Sequence, residues 1–301
     1  MSILRIRTAF PLFASLFKRG GCCYKLIREL TGTEAGLIII GEKINGTLPD
    51  VRDAVLDRNA DLISGLAHAQ DEAGADYIDV NVATGISDER DAMLWAIGVV
   101  RGATSLPLCI DSSDPAVLEA GLEACSEERP LINSVTGTAA SMGPVLALAA
   151  RHSCGVVALP MDEAGIPASA RERLAVCKKI LASALKAGVA AEDLFFDPLV
   201  LPLSADFTQG RVTIETLASI KSEFESSRTV MGASNASFGL PARSLINRAL
   251  LSVACYFGLD AAIVDPTDSS LQSAILAAVV VAGSDKYCKD YMKAFRSGRL
   301  G

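Results

Sequence analysis

From Leu37 onward, apolar runs alternate with amphipathic stretches, and one apolar run after another ends in polar residues. Leu37-Ile38-Ile39-Ile40 leads into Gly41-Glu42-Lys43-Ile44-Asn45, Tyr77-Ile78 into Asp79-Val80-Asn81, and Leu108-Cys109-Ile110 into Asp111-Ser112-Ser113. Leu131-Ile132 ends in Asn133-Ser134, Phe195-Phe196 in Asp197-Pro198, and Met231-Gly232-Ala233 in Ser234-Asn235. Short apolar runs of this kind suit strands buried on both faces. The pattern predicts strands over 37–44, 76–81, 107–112, 130–135, 155–160, 194–199, 229–234 and 261–265. Helices are predicted over 59–73, 89–102, 115–125, 142–152, 169–187, 212–224, 242–257 and 268–283. The crossovers are too long for hairpins, so the strands are parallel. Strand followed by helix, repeated to the C-terminus, predicts the α/β class and a (β/α)8 TIM barrel.

Local signals agree with this layout. Asp114 precedes Pro115, a capping residue ahead of a proline in the first helical turn. Gly188 follows Lys186 where a helix is expected to stop. No long Pro/Gly/Ser linker divides residues 37–301, which read as one domain. The connections at 82–88 and 202–211 are long, and in such a barrel they fall on the active face as lids or partner loops.

Residues 1–36 read as an N-terminal extension, expected to be poorly ordered. Arg5, Arg7, Lys18, Arg19, Lys25 and Arg28 face only Glu29 and Glu34 there. The apolar stretches at 10–17 and 274–282 are shorter than the roughly 20 residues a membrane span needs. A signal peptide carries its charge before the apolar run, whereas Lys18-Arg19 follow it. The sequence therefore gives no reason to expect a membrane protein.

Composition narrows the function. Hydrophobic residues make up 50% and charged residues 21%, the range of a folded, core-rich chain. The net charge of −7, without a sustained Lys/Arg stripe, argues against nucleic acid as a partner. The eight cysteines are scattered with no CxxC pair, and the two histidines are His68 and His152. This donor set does not suggest a metal cluster; it suggests buried free thiols in a reducing cytoplasm. No P-loop or GxGxxG segment is present, which argues against nucleotide cofactors.

What remains is the set of polar strand ends. A carboxylate or amide there is costly to bury unpaired, so several of them converge on a shared polar ligand. Rich in acceptors and amides, they suit a neutral heterocycle with several N–H donors better than a phosphate. Asp111 reads as a ligand-binding carboxylate, since Ser113 or Asp114 is better placed to cap the next helix. Pro198 holds Asp197 in extended geometry, which aims its side chain. Asn133 needs a partner but does not identify one. Asn45 and Asn81 fit a ligand role or a local turn equally. Asp265 and Asp268 read as turn and cap residues.

The motifs GEKING (41–46), DVN (79–81), LCIDSS (108–113), LINS (131–134), FDPLVLP (196–202), GASNAS (232–237) and LINR (245–248) together resemble the pterin-binding methyltransferases. The resemblance is strongest to methyltetrahydrofolate:corrinoid/iron-sulfur protein methyltransferases and covers about residues 37–295. It implies a pterin-binding TIM barrel of the dihydropteroate-synthase-like type. It implies methyl transfer between methyltetrahydrofolate, as substrate, and a corrinoid (cobalamin) carried on a partner protein. By motif position it implies that Asp111, Asn133 and Asp197 hydrogen-bond the pterin ring. Asn235 would act on the nitrogen that bears the methyl group. Asp79, Asn81 and Ser234 would line the pocket, Glu42 and Asn45 shape its floor, and Arg243 matches a family arginine. A homodimer is the family's common state. Two departures stand out. The basic SRK-like motif of dihydropteroate synthase is replaced by Ser234-Asn235-Ala236, and Phe238 stands where iron-sulfur-partnered relatives have glutamine. The alternatives are a dihydropteroate-synthase-like condensing enzyme and a non-catalytic pterin-binding protein.

Overall fold

A computed structural model describes residues 36–85, 88–125 and 129–300; the expected extension, Gly36 aside, lies outside them, as do Cys22 and Cys23. The strands are β1 (Ile38–Asn45), β2 (Tyr77–Asn81), β3 (Leu108–Asp111), β4 (Leu131–Thr136), β5 (Gly155–Leu159), β6 (Leu194–Phe196), β7 (Arg228–Gly232) and β8 (Ala261–Val264). They close into one parallel barrel in chain order, with β1 paired to β8. The helices are α1 (Pro49–Leu56), α2 (Ala60–Glu72), α3 (Glu89–Ala103), α4 (Pro115–Ala124), α5 (Ala139–His152), α6 (Ala170–Ala187), α7 (Gln209–Glu223), α8 (Arg243–Tyr256), α9 (Ser269–Val281) and α10 (Lys289–Arg296). The predicted TIM barrel is therefore the observed architecture.

The period of two along each strand places the site. Ile40, Cys109, Leu131, Val157, Phe195, Val230 and Ala261 cluster together as the lumen of the barrel. The alternate residues, such as Ile78, Val80, Ile110, Ile132 and Val156, join Ile63, Met93, Ile97 and Leu118 from the helices in a separate core. Two positions beyond Ile40, Tyr77, Cys109, Leu131 and Phe195 stand Glu42, Asp79, Asp111, Asn133 and Asp197. The alternation that fills the lumen with apolar side chains thus directs these polar ones to its C-terminal end. Register aligns them further, with Asn45 opposite Asn81, Asn81 opposite Asp111, and Asp111 opposite Asn133.

Two irregularities lie at this end. β1 shifts register against β2 between Gly41 and Ile44. The amide freed there, Lys43 N–H, donates to Oε1 of the buried Gln70 on α2 at 3.0 Å. A Cβ at position 41 would stand 2.4 Å from that oxygen, so the close approach requires glycine. Bulges of this kind re-aim neighbouring side chains, here Glu42. β4 shifts against β5 between Asn133 and Val135, and the Asn133–Ser134 peptide is cis.

The expected caps are present. Asp114 Oδ1 accepts from Ala116 N–H at 2.8 Å, Asp268 Oδ1 from Leu271 N–H at 3.0 Å, and Gly188 ends α6 at φ 90°. The structure departs from expectation at four places. Helix α1 forms where the sequence reading left a connection, and it buries Val51, Ala54 and Val55. Helix α10 follows α9, is eight residues long and lies beyond the eighth strand–helix unit, where the alternation predicts nothing. β6 stops at Phe196 rather than 199, because Pro198 has no N–H for the ladder and Leu199 adopts φ 62°. β7 stops at Gly232 rather than 234, and Ala233–Asn235 form a 3-10 turn. Cys109, Cys125, Cys154, Cys177 and Cys255 are buried and Cys288 is exposed, all outside any disulfide. Among the described residues no helix is long and apolar enough to cross a membrane.

Candidate functional site

The polar ends of β2, β3 and β4 form one hydrogen-bonded group. Asn133 Nδ2 donates to Asp79 Oδ1 at 3.3 Å, and Asn81 Nδ2 donates to Asp111 Oδ2 at 2.9 Å. Each amide carbonyl or carboxylate thus keeps free acceptor capacity while its neighbour is held in place. The Cys109 thiol, one turn of the pleat below Asp111, also bonds to Asp79. Asp79 is almost fully buried, and Asp111 and Asn133 are half-buried.

A second group closes the barrel between β7 and β1. Ser234 Oγ donates to Glu42 Oε1 at 2.9 Å. Arg243, at the start of α8, donates from Nη2 to the Ser234 carbonyl at 2.7 Å and from Nε to Ser237 Oγ at 3.0 Å. Arg243 therefore holds the Ser234-Asn235 turn from behind. The Asn235 side chain is exposed and hydrogen-bonds to no described residue. Phe238 is exposed on the same loop, and its carbonyl accepts from Ser204 Oγ at 2.7 Å, which laces the loop after β6 to the loop after β7.

Asp197 completes the ring just past β6. Its Oδ1 accepts from Leu199 N–H at 2.7 Å, and Gly232 N–H of β7 also donates to it. Asn45 behaves differently. Its Oδ1 accepts from Thr47 N–H at 2.9 Å and Thr47 Oγ1 at 2.7 Å, a local turn before α1, although register keeps it beside Asn81. Asp265 is a turn residue as expected, accepting from Thr267 and pairing with Lys43 at 3.0 Å.

Burial dominates the electrostatics. It pushes the Asp79 carboxyl up to about 8, with repulsion from Asp111 adding and bonds from Cys109 and Asn133 opposing. Burial likewise raises Asp111, against the Asn81 bond and with help from Glu89. It lifts Asp197 to about 7, held down by the Leu199 and Gly232 amides and by Arg173. Glu42 is raised by burial and by Asp265, with Ser234 opposing. Several carboxyls raised by burial at one end of a barrel are unusual outside functional sites.

Three contributors were not singled out from sequence. Glu89, the first residue of α3, accepts from Ser112 Oγ at 2.5 Å. Gln70 supports the β1 bulge. Arg173, fully buried on α6, reaches the loop that carries Asp197. The available signal was an arginine at position 173 in register with the apolar stripe Val176, Cys177, Ile180 and Ala184.

Comparison with known proteins decides the family. Residues 42–265 match the family described as pterin binding enzyme. The chain belongs to this family. Among pterin binding enzymes it is 36% identical over 270 residues to a methylcorrinoid:tetrahydrofolate methyltransferase of Eubacterium limosum, covering 88% of this chain and 98% of that one. It is 29% identical over 244 residues to a methionine synthase of Mycobacterium tuberculosis, covering 77% of this chain but 20% of that longer protein. A solved dihydropteroate synthase of Yersinia pestis superposes with TM-score 0.63 at 18% identity, over 82% of this chain and 93% of that one. One from Coxiella burnetii, in complex with pteroic acid, gives 0.64 at 16% identity over 83% and 95%. These two share the fold.

A pH prediction follows from Asp79. Its folded-state pKa of about 8 lies above the ordinary value of 3.8, so between the two the folded chain holds a proton the unfolded chain has lost. Its contribution to stability is complete below the ordinary value and is lost as pH rises through about 8, at most about 1.4 kcal/mol per pH unit. Asp79→Asn removes this titration. In urea unfolding from about pH 5 to about pH 9, the variant should gain on the wild type steadily as pH rises. A difference independent of pH would contradict the assignment.

Proposed function

We propose that residues 37–301 form a methyltransferase domain that moves a methyl group between tetrahydrofolate and the cobalt of a corrinoid carried on a separate protein. The observation that carries this reading is the Asn235 amide, bonded to no described residue, at the same end of the barrel as the Asp79, Asp111 and Asp197 acceptors. The likeness to the Eubacterium limosum enzyme over almost its whole length supports it, and that enzyme's name gives the direction from methylcorrinoid to tetrahydrofolate. Condensation of the dihydropteroate synthase type is disfavoured by the Ser234-Asn235-Ala236 segment in place of a basic motif.

In this reading Asp111, Asn133 and Asp197 hold the pterin ring by its N–H edge, with Asp79, Asn81, Ser234 and Glu42 around it. The methyl–cobalt bond breaks with its electron pair left on cobalt, the pterin nitrogen forms the new bond, and that nitrogen gives its proton to solvent. The chain itself needs no nucleophile; it supplies position and a polar contact. Asn235 makes that contact at the reacting nitrogen. The absence of histidine from the strand ends is consistent with this division of labour.

The protein is further proposed to be cytoplasmic, in keeping with its buried cysteines outside any disulfide. It is also proposed to be a homodimer. Helices α8 and α9 pack on each other and leave Val253, Tyr256 and Val281 exposed, an apolar face suited to a second copy. Light scattering should give twice the chain mass for the wild type and the single mass for Tyr256→Asp; a monomeric wild type would refute the dimer.

The activity is tested by mixing protein, methylcobalamin or a methylated corrinoid protein, and tetrahydrofolate, and following the corrinoid's visible absorbance. Loss of the methylcorrinoid band is expected. Silence with every corrinoid, in both directions, would sink the enzyme reading. Asn235→Ala should cut turnover by roughly 10²-fold, the scale of one lost transition-state contact, with folate affinity little changed. Asp111→Asn and Asp197→Asn should instead weaken folate binding by roughly tenfold, in line with a charged hydrogen bond worth about 1.5–3 kcal/mol.

A further inference from the structure

Arg173 is the largest fully buried side chain of the described residues, and it lies outside the ring of polar strand ends. Its four partners are neutral oxygens. Nε donates to the Pro167 carbonyl at 3.0 Å, Nη1 to the Pro198 and Leu199 carbonyls at 2.9 and 2.8 Å, and Nη2 to Gln209 Oε1 at 2.9 Å. A buried cation without a bonded carboxylate is expensive, by several kcal/mol. The negative charge that faces it is Asp197. Arg173 also binds both peptides that follow Asp197. Leu199 sits at φ 62°, a conformation that costs a side-chain-bearing residue roughly 1–2 kcal/mol and needs outside support. That support comes from Arg173 and from Thr213 Oγ1, which donates to the same Leu199 carbonyl at 2.8 Å. In this conformation the Leu199 N–H points at Asp197 Oδ1.

We propose that Arg173 is a positioning residue for folate binding. It fixes the Leu199 peptide that orients the Asp197 carboxylate, and its charge keeps that carboxylate an acceptor for the ring N–H groups. The inference rests on the pterin-binding reading above and adds to it a residue that does not touch the ligand. The groups facing Asp197 are Arg173 and Cys177 from α6, the Leu199 N–H, and the Gly232 N–H of β7. Cys177, raised by burial, stays neutral in the physiological range. Asp206 reaches Arg173 only through Gln209, whose Nε2 donates to it at 2.8 Å. Among the described residues Arg173 is thus the cation that faces Asp197 and favours its ionised form.

The test is calorimetric titration of the full chain with tetrahydrofolate from about pH 6 to about pH 9, for wild type, Arg173→Met, Arg173→Lys and Thr213→Val. Arg173→Met should lose at least about tenfold in affinity near neutral pH, with the midpoint of the pH profile moved upward by about one unit, so that binding partly recovers in alkali. A role in packing alone would lower affinity equally at every pH. Arg173→Lys, with its charge kept, should bind more weakly than wild type but retain its midpoint. Thr213→Val should lose a few-fold, again with the midpoint retained, and it probes the Leu199 peptide if Arg173→Met does not fold. Unchanged affinity in Arg173→Lys and Thr213→Val, or a pH-independent loss in Arg173→Met, overturns the inference. A wild type that binds no folate overturns the pterin-binding reading instead.

Discussion

Keeping carboxyl groups dry at the ends of buried strands is the constraint on which the rest of this structure depends. Asp79, Asp111 and Asp197 stand where the alternation of each strand forces a side chain into the lumen, above a layer of Ile40, Cys109, Leu131 and Phe195. Water cannot solvate them fully there, so the surrounding chain must. Asn81 and Asn133 donate sideways from neighbouring strands, Cys109 from below, and the Leu199 and Gly232 amides from the loop and from β7. These donors hold the groups in place without neutralising them, and the raised affinity of Asp79 and Asp197 for protons measures what is still missing. In the proposed function the fused amino-amide edge of the pterin supplies the missing donors.

The same constraint explains the supporting parts. Glu42 is aimed by a bulge that requires Gly41 and is closed by the Gln70 side chain. Ser234 satisfies Glu42, and Arg243 holds the turn that carries Ser234, while the side chain of the next residue, Asn235, hydrogen-bonds to no described residue. Groups committed to the fold thus stand beside one exposed amide, the one that the proposed function brings to the reacting atom.

Much of this could be read from the chain because barrels of parallel strands write a simple pattern. Strands covered on both faces appear as unbroken apolar runs, and the polar residue that ends each run marks the active end. Asp114, Gly188 and Asp268 were legible as caps because capping is a local event. The undetected parts depend on contacts distant in sequence. Gln70 meets Lys43 across 27 positions, Ser112 meets Glu89 across 23, and Arg173 meets Leu199 across 26. Helices α1 and α10 are only eight residues each and fall outside the one-strand, one-helix alternation. Asn45, open between ligand and turn from sequence, has its carbonyl engaged by Thr47.

If the buried carboxyls are acceptors awaiting a pterin edge, folate binding must change their protonation. Asp197, near 7, is partly protonated in the free protein at neutral pH, and donation from the ring N–H groups favours its ionised, acceptor-only form. Calorimetric titration with tetrahydrofolate at neutral pH, in two buffers of different ionisation enthalpy, counts those protons directly. The account predicts net proton release on binding, reduced in Asp197→Asn. Tight binding with no proton released, or with protons taken up, would contradict it.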